Sequence, residues 1–233
     1  MLRLDNVSFS YGRERNAPKV LNDVSLEIGP GLTLVLGPNG AGKSTLLRLA
    51  AGVERPERGA VFVSGYDLAV DEVAARRELV YLPEYPDLTP YASIAEILDL
   101  VCRLRGVVPT DVPGRLEAVG LAELQHRSVR ELSLGQRRRA MVAAAWVGMP
   151  SLVILDEPFE AMDRNMRRMM REWIETRLDL SGTVLVATHH IEPLVERVDR
   201  VITIANTGLS VHEEVPRDIE ALDRLASAAS GVD

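Results

Sequence analysis

Apolar and polar positions alternate at the start of the chain, with Leu2, Leu4, Val7 and Phe9 set against Arg3, Asp5 and Ser8. That period of two predicts a strand over 2–9. Tyr11-Gly12 opens a loop rich in charge, Asn and Pro up to Pro18, and Val20 to Ile28 reads as a second strand. Gly29-Pro30-Gly31 turns the chain into a short apolar run, Thr33 to Leu36, and a helix-like segment follows from Leu46 to Ala51. A loop with Pro56 leads to a short strand, Ala60 to Val63, closed by Ser64-Gly65. Leu79 to Leu82 is another, broken by Pro83-Glu84-Tyr85-Pro86. The period then changes. From Ser93 to about Trp146, Ile94, Ile97, Leu98, Val101, Cys102 and Leu104 recur at helix spacing, as do Leu116, Val119, Leu121 and Leu124. Leu152 to Leu155 restores a buried strand, Met166 to Leu178 is amphipathic and helical, and Thr183 to Ala187 is buried again. A helix is expected after Thr188-His189-His190 to about Val198, then a last strand at Val201 to Ala205. From Leu209 the pattern predicts a weak, fraying helix.

These elements predict one α/β domain over residues 1–233. Antiparallel N-terminal strands lead into a parallel nucleotide-binding core (1–84 and 150–208), a helical subdomain is inserted at 85–149, and 209–233 form a tail. A length of 233 residues suits one such domain. The 46% apolar and 26% charged composition is that of a globular protein. Net charge is −7, which speaks against a broad nucleic-acid face. Cys102 is the only cysteine, so a reduced, cytoplasmic setting is expected. The N-terminus lacks a signal-peptide core. The longest apolar run, Ala140 to Met149, is about half of what a membrane span needs.

Chemistry concentrates first in Gly37-Pro38-Asn39-Gly40-Ala41-Gly42-Lys43-Ser44-Thr45. Strand, glycine loop and helix follow in the order of a phosphate-binding loop. Its glycines leave room for backbone N–H groups to surround phosphate oxygens, and the helix start adds its positive dipole end. Lys43 can reach the β- and γ-phosphates, and the Ser44 hydroxyl can ligate Mg²⁺. The chain therefore reads as a binder of a nucleoside triphosphate.

Two further stretches fit that loop. Leu152 to Pro158 is a buried strand ending in adjacent acids, Asp156 and Glu157. Asp156 would hold Mg²⁺, and Glu157 would orient or deprotonate an attacking water. The bland alternative is a solvated strand end with helix-capping acids. Leu132 to Gln136 precedes a helix, and Ser133 and Gly135 make an anion site of hydroxyl, N–H and dipole. Alone it is a plain N-cap. Beside a complete phosphate loop it reads as a half-site, which two head-to-tail copies would exchange.

With these motifs the chain resembles the nucleotide-binding subunit of an ABC (ATP-binding cassette) transporter over residues 1–208. The resemblance implies a P-loop NTPase (RecA-like) fold, ATP and Mg²⁺ as ligands, and ATP hydrolysis by paired subunits. It implies that Tyr11 stacks on adenine, a loop or core tyrosine being the alternative. Ser133, Gly135 and Gln136 would touch the γ-phosphate of the other subunit, and Asp163 in Ala161-Met162-Asp163 would order the dimer interface. His189 would be the switch histidine beside Glu157, with His190, His126 and His212 as exposed bystanders. Two departures stand out. Glu84 replaces the family's usual glutamine at the Mg²⁺, a variant associated with export subunits, and Leu134 replaces the signature's first glycine.

The stretch from Tyr85 to Ile94 (Tyr85, Leu88, Tyr91, Ile94) lies where the family meets its transmembrane partner, or else packs internally as a helix start. The Arg137–Arg139 run reads as a solvated helix face. The expectation is an ATPase, as a homodimer or paired with a second such subunit. It would sit peripherally on the inner face of the cell membrane and drive transport, by preference export, through a polytopic permease, without nucleic acid. A soluble ABC ATPase that remodels a protein complex is the alternative. An ABC-type protein acting on DNA or ribosomes would normally carry paired cassettes or coiled-coil insertions, and neither is present.

Overall fold

Every residue of Leu152–Asp156 and of Thr183–Ala187 is buried, as strands in the middle of a sheet covered on both faces must be. The computed structural model describes residues 1–12, 17–109 and 112–228. In chain order the first elements are β1 (Leu2–Phe9), β2 (Leu21–Ile28), β3 (Gly31–Leu36), α1 (Lys43–Ala50), β4 (Arg58–Val63) and β5 (Tyr66–Asp67). Then come α2 (Glu72–Arg77), β6 (Leu79–Leu82), α3 (Ile94–Arg105), α4 (Val112–Ala118) and α5 (Leu134–Ala145). The chain continues with β7 (Leu152–Asp156), α6 (Arg164–Asp179), β8 (Thr183–Ala187), β9 (Val198–Ala205), β10 (Gly208–His212) and α7 (Ile219–Ala228).

Two sheets result. β2-β1-β4-β5 is antiparallel, and β10-β9-β3-β8-β7-β6 is parallel except for β10 at its edge. Alternation along the parallel strands divides the interior into two cores. Val35, Leu152, Ile154, Leu185 and Ile202 join β1, β2, β4 and α1 in one. Leu34, Val153, Leu155, Val184 and Val186 join Leu98, Met141, Met170 and Leu222 of α3, α5, α6 and α7 in the other. The strand order places the ends of β3, β7 and β8 side by side, with the phosphate loop leaving β3 among them.

Three expectations from the pattern change. No α-helix follows His190: Ile191 and Leu194 turn into the core, Pro193 cannot donate, and only a 3₁₀ turn forms at Val195–Arg197 before β9 begins. Val201–Ala205 is not the last strand. Asn206 and Thr207, at φ 48° and 68°, make a tight hairpin turn into β10, so Leu209–His212 is strand and not frayed helix. The expected tail helix begins only at Ile219. β5 and α2 were not foreseen. Residues 13–16 of the Asn/Pro loop and 229–233 of the tail lie outside the described residues.

Candidate functional site

The Gly37–Gly42 turn between β3 and α1 depends on backbone angles that L side chains avoid. Gly37 sits at φ 149° and a Cβ there would meet the Ile204 carbonyl oxygen at 2.9 Å; Gly42 sits at φ 107° as the N-cap of α1. That N-cap offers no side-chain acceptor, and the first turn of α1 holds no acid. Its backbone donors and positive dipole end therefore suit an anion from outside. Lys43 curls back over the loop, its Nζ donating to the carbonyls of Gly37 (2.7 Å) and Pro38 (3.1 Å). Burial lowers the Lys43 pKa, and the carboxylates of Glu157 and Asp156 oppose that shift.

Ser44 Oγ donates to Asp156 Oδ1 at 3.2 Å. Asp156 ends β7 at 3% exposure, and burial pushes its carboxyl above the usual range, with Ser44 pulling the other way. The next residue, Glu157, takes the left-handed angle φ 46° while its N–H donates to the Ala187 carbonyl at 2.8 Å. The Glu157 carboxylate accepts from the Thr188 hydroxyl (3.0 Å) and the His189 N–H (3.2 Å), with His189 Nε2 at 3.6 Å from its other oxygen.

These groups share one cleft of about 830 Å³. Tyr11, Asn39, Gly40, Gly42, Lys43, Ser44, Thr45, Glu84, Asp156, Glu157 and His189 line it. Gly37, Pro38 and Ala41 complete the loop without lining the cleft, and Ala41 packs on the core. Tyr11 is more than half exposed; its hydroxyl shares a 3.0 Å hydrogen bond with Thr45 Oγ1 and its ring stands edge-on to Phe9. Ser44 Oγ and the Asp156 carboxylate are hard oxygen donors, and Glu84 stands on the same cleft. That set fits Mg²⁺, which takes one or two protein oxygens and completes its shell with water and phosphate.

Ser133, Gly135, Gln136 and Asp163 lie elsewhere, around a second cavity of about 410 Å³. Ser133 caps α5: its Oγ accepts from the Gln136 N–H (3.3 Å), and Gln136 Oε1 accepts from the Ser133 N–H (2.9 Å). Asp163 caps α6 through the Met166 N–H (2.9 Å) and pairs with Arg139 at 2.6 Å. The Met166 bond, ahead of the arginine, holds the Asp163 carboxyl below its usual range. Leu134 does not line this cavity; it is largely exposed and faces the first cleft of its own chain.

The arginine run differs most from its reading as a solvated face. Arg137 Nε donates to the Val129 and Leu132 carbonyls, Arg139 pairs with Asp163, and Arg138 is buried. A run of like charges carries no signal of burial. Thr188 was also missed; its place between the strand-end Ala187 and His189 was the available cue. Of the segment after the Pro83 break, Ile94 is fully buried and Leu88 packs on the core, as the internal-packing reading expects, while Tyr85 and Tyr91 are exposed. His212 is not an exposed bystander: its Nε2 lies 3.1 Å from Thr203 Oγ1. His190 stands 3.4 Å from Glu160.

A family model described as ABC transporter matches residues 21–160. The sulfate/thiosulfate import ATP-binding protein of Mesostigma viride is 33% identical over 221 residues, covering 93% of this chain and 62% of that protein. Nod factor export ATP-binding protein I of Cupriavidus metallidurans is 32% identical over 224 residues, covering 94% of this chain and 72% of that protein. A solved structure described as the ATP binding subunit of an ABC transporter superposes with TM-score 0.82 at 25% identity, over 97% of this chain and 94% of that one. The chain thus spans about six tenths of the sulfate/thiosulfate relative.

Proposed function

The chain belongs to the ABC transporter family, and from that premise we propose that it is an ATP-hydrolysing subunit that closes, as a pair, around two ATP molecules. The observation that carries this reading is the separation of the two half-sites. The phosphate loop lines one cleft, while Ser133, Gly135 and Gln136 line another cavity. Head-to-tail pairing brings the second half-site of each copy to the loop of the other, with Asp163 at the contact.

Within the cleft, Lys43 and the first-turn N–H groups of α1 hold the phosphates, and Tyr11 stacks on the base. Ser44 and Asp156, with Glu84 beside them, would hold Mg²⁺, which would supply charge neutralisation at the phosphates. Glu157 orients the attacking water and takes its proton as a bond forms to the γ-phosphorus and the bond to ADP breaks. His189 contacts the γ-phosphate and ties it to Glu157. Closure is favoured because ATP bridges the halves and ADP does not. A polytopic membrane partner converts closure into transport, and Glu84 favours export. The two relatives above carry import and export names, so Glu84 is what supports export here.

Glu157→Gln keeps the side chain's size and removes its basicity. The expected outcome is ATP binding near wild type, turnover lower by about 10²–10⁴-fold, and ATP-dependent dimers by size exclusion. Turnover at the wild-type rate would remove Glu157 from its role. Purification of the same variant from host membranes with ATP and Mg²⁺ should recover a multi-span protein. Recovery of soluble partners alone would replace transport with complex remodelling.

A further inference from the structure

Arg138, near the start of α5, is a charged side chain at 3% exposure whose terminal nitrogens reach only backbone carbonyls among the described bonds. Nη1 donates to the carbonyls of Pro83 and Glu84 (2.8 Å to Glu84), and Nη2 donates to the carbonyl of Glu157 (2.8 Å). Nε has no hydrogen-bond partner among the described residues. The β6–β7 ladder registers last at Leu82 with Leu155, and Arg138 ties the two chains together beyond that point.

A guanidinium is a rigid plane, so carbonyls from two loops are fixed relative to each other and to α5. One of them belongs to Glu157, whose left-handed backbone needs support from outside. The other loop carries Glu84. The helix that supplies the plane begins at Ser133, about one and a half turns earlier. One side chain therefore links the cap of the second half-site to the two acidic loops of the first. Burial lowers the Arg138 pKa, while Asp156, Glu84, Glu160 and Glu157 oppose that shift and keep a cation tenable there.

We propose that Arg138 is a positioning residue that sets the Glu84 loop and the Glu157 peptide together for hydrolysis, so that a partner docking on α5 is felt at both. This rests on the ATPase reading above. Arg138 lines both the cleft and the second cavity, yet its described hydrogen bonds all go to backbone carbonyls, so its removal should slow the chemical step more than it weakens nucleotide binding.

The test compares wild type, Arg138→Met and Arg138→Lys for ATPase kcat and KM, with melting temperature alongside. Arg138→Met should hold KM within about threefold and lose on the order of 10- to 100-fold in kcat, the scale of a displaced catalytic group. Arg138→Lys, which keeps a charged donor but not the fork, should recover part of that loss. A wild-type kcat in Arg138→Met overturns the proposal. So does a fall in melting temperature and nucleotide affinity without a kcat loss per folded molecule. Should Arg138→Met not fold, Arg138→Lys decides: lower kcat at unchanged KM supports the role, and wild-type kcat overturns it. A wild-type chain that binds ATP without hydrolysing it sinks the ATPase reading instead, which separates the two failures.

Discussion

Asp156 pays most directly for its position. Its carboxyl is buried at the strand end, and burial raises its pKa above the ordinary 3.8. The folded state therefore holds that proton more tightly than the unfolded chain does. Stability from this group is greatest below the unfolded value and is lost as pH rises through the raised folded value. Asp163 runs in the opposite sense: its lowered pKa stabilises the fold above the unfolded value, and that contribution is lost as pH falls through the folded one. In the nucleotide-free protein, Asp156→Asn should melt at a higher temperature than wild type at neutral pH. The difference should shrink as pH is lowered past the ordinary carboxylate range, as thermal melts across pH would show. A gap independent of pH would mean that the charge is not what burial penalises.

At the scale of elements, α5 shows how a helix start serves fold and chemistry separately. Ser133 and Gln136 close a reciprocal cap, while Gly135 has open space where a Cβ would be, and its fold makes no demand for glycine. Gly135→Asp should leave stability unchanged or raise it by up to about 1 kcal/mol, since helix propensity and the dipole both favour the acid. It should nevertheless abolish ATP-driven pairing, because the new carboxylate would face the partner's phosphate. Urea unfolding and size exclusion would read the two effects independently.

Elements bounded by strong punctuation were legible in the sequence. β3, the phosphate loop and α1 carry Gly-rich and apolar signals that agree, and β7 and β8 are unbroken apolar runs. The segment after His190 was not legible, because apolar spacing at Ile191 and Leu194 suits a turn as well as a helix. Nor was Arg138, because burial of a charge depends on carbonyls that reach it from 55 and 19 residues away.

Over the whole molecule, the parallel sheet divides two cores, and the loop ends of its central strands gather the first half-site in one cleft. The second half-site occupies another cavity of the same chain. That division has a kinetic consequence. If each working centre takes residues from two molecules, turnover by the free subunit is second order in protein at dilution, and specific activity climbs with concentration. Were two copies held on one permease, as proposed, they would meet at an effective concentration set by the scaffold, on the order of millimolar for short tethers, and their rate per subunit would become independent of abundance. A dilution series of the isolated chain should show quadratic rates, and the membrane-assembled complex linear ones.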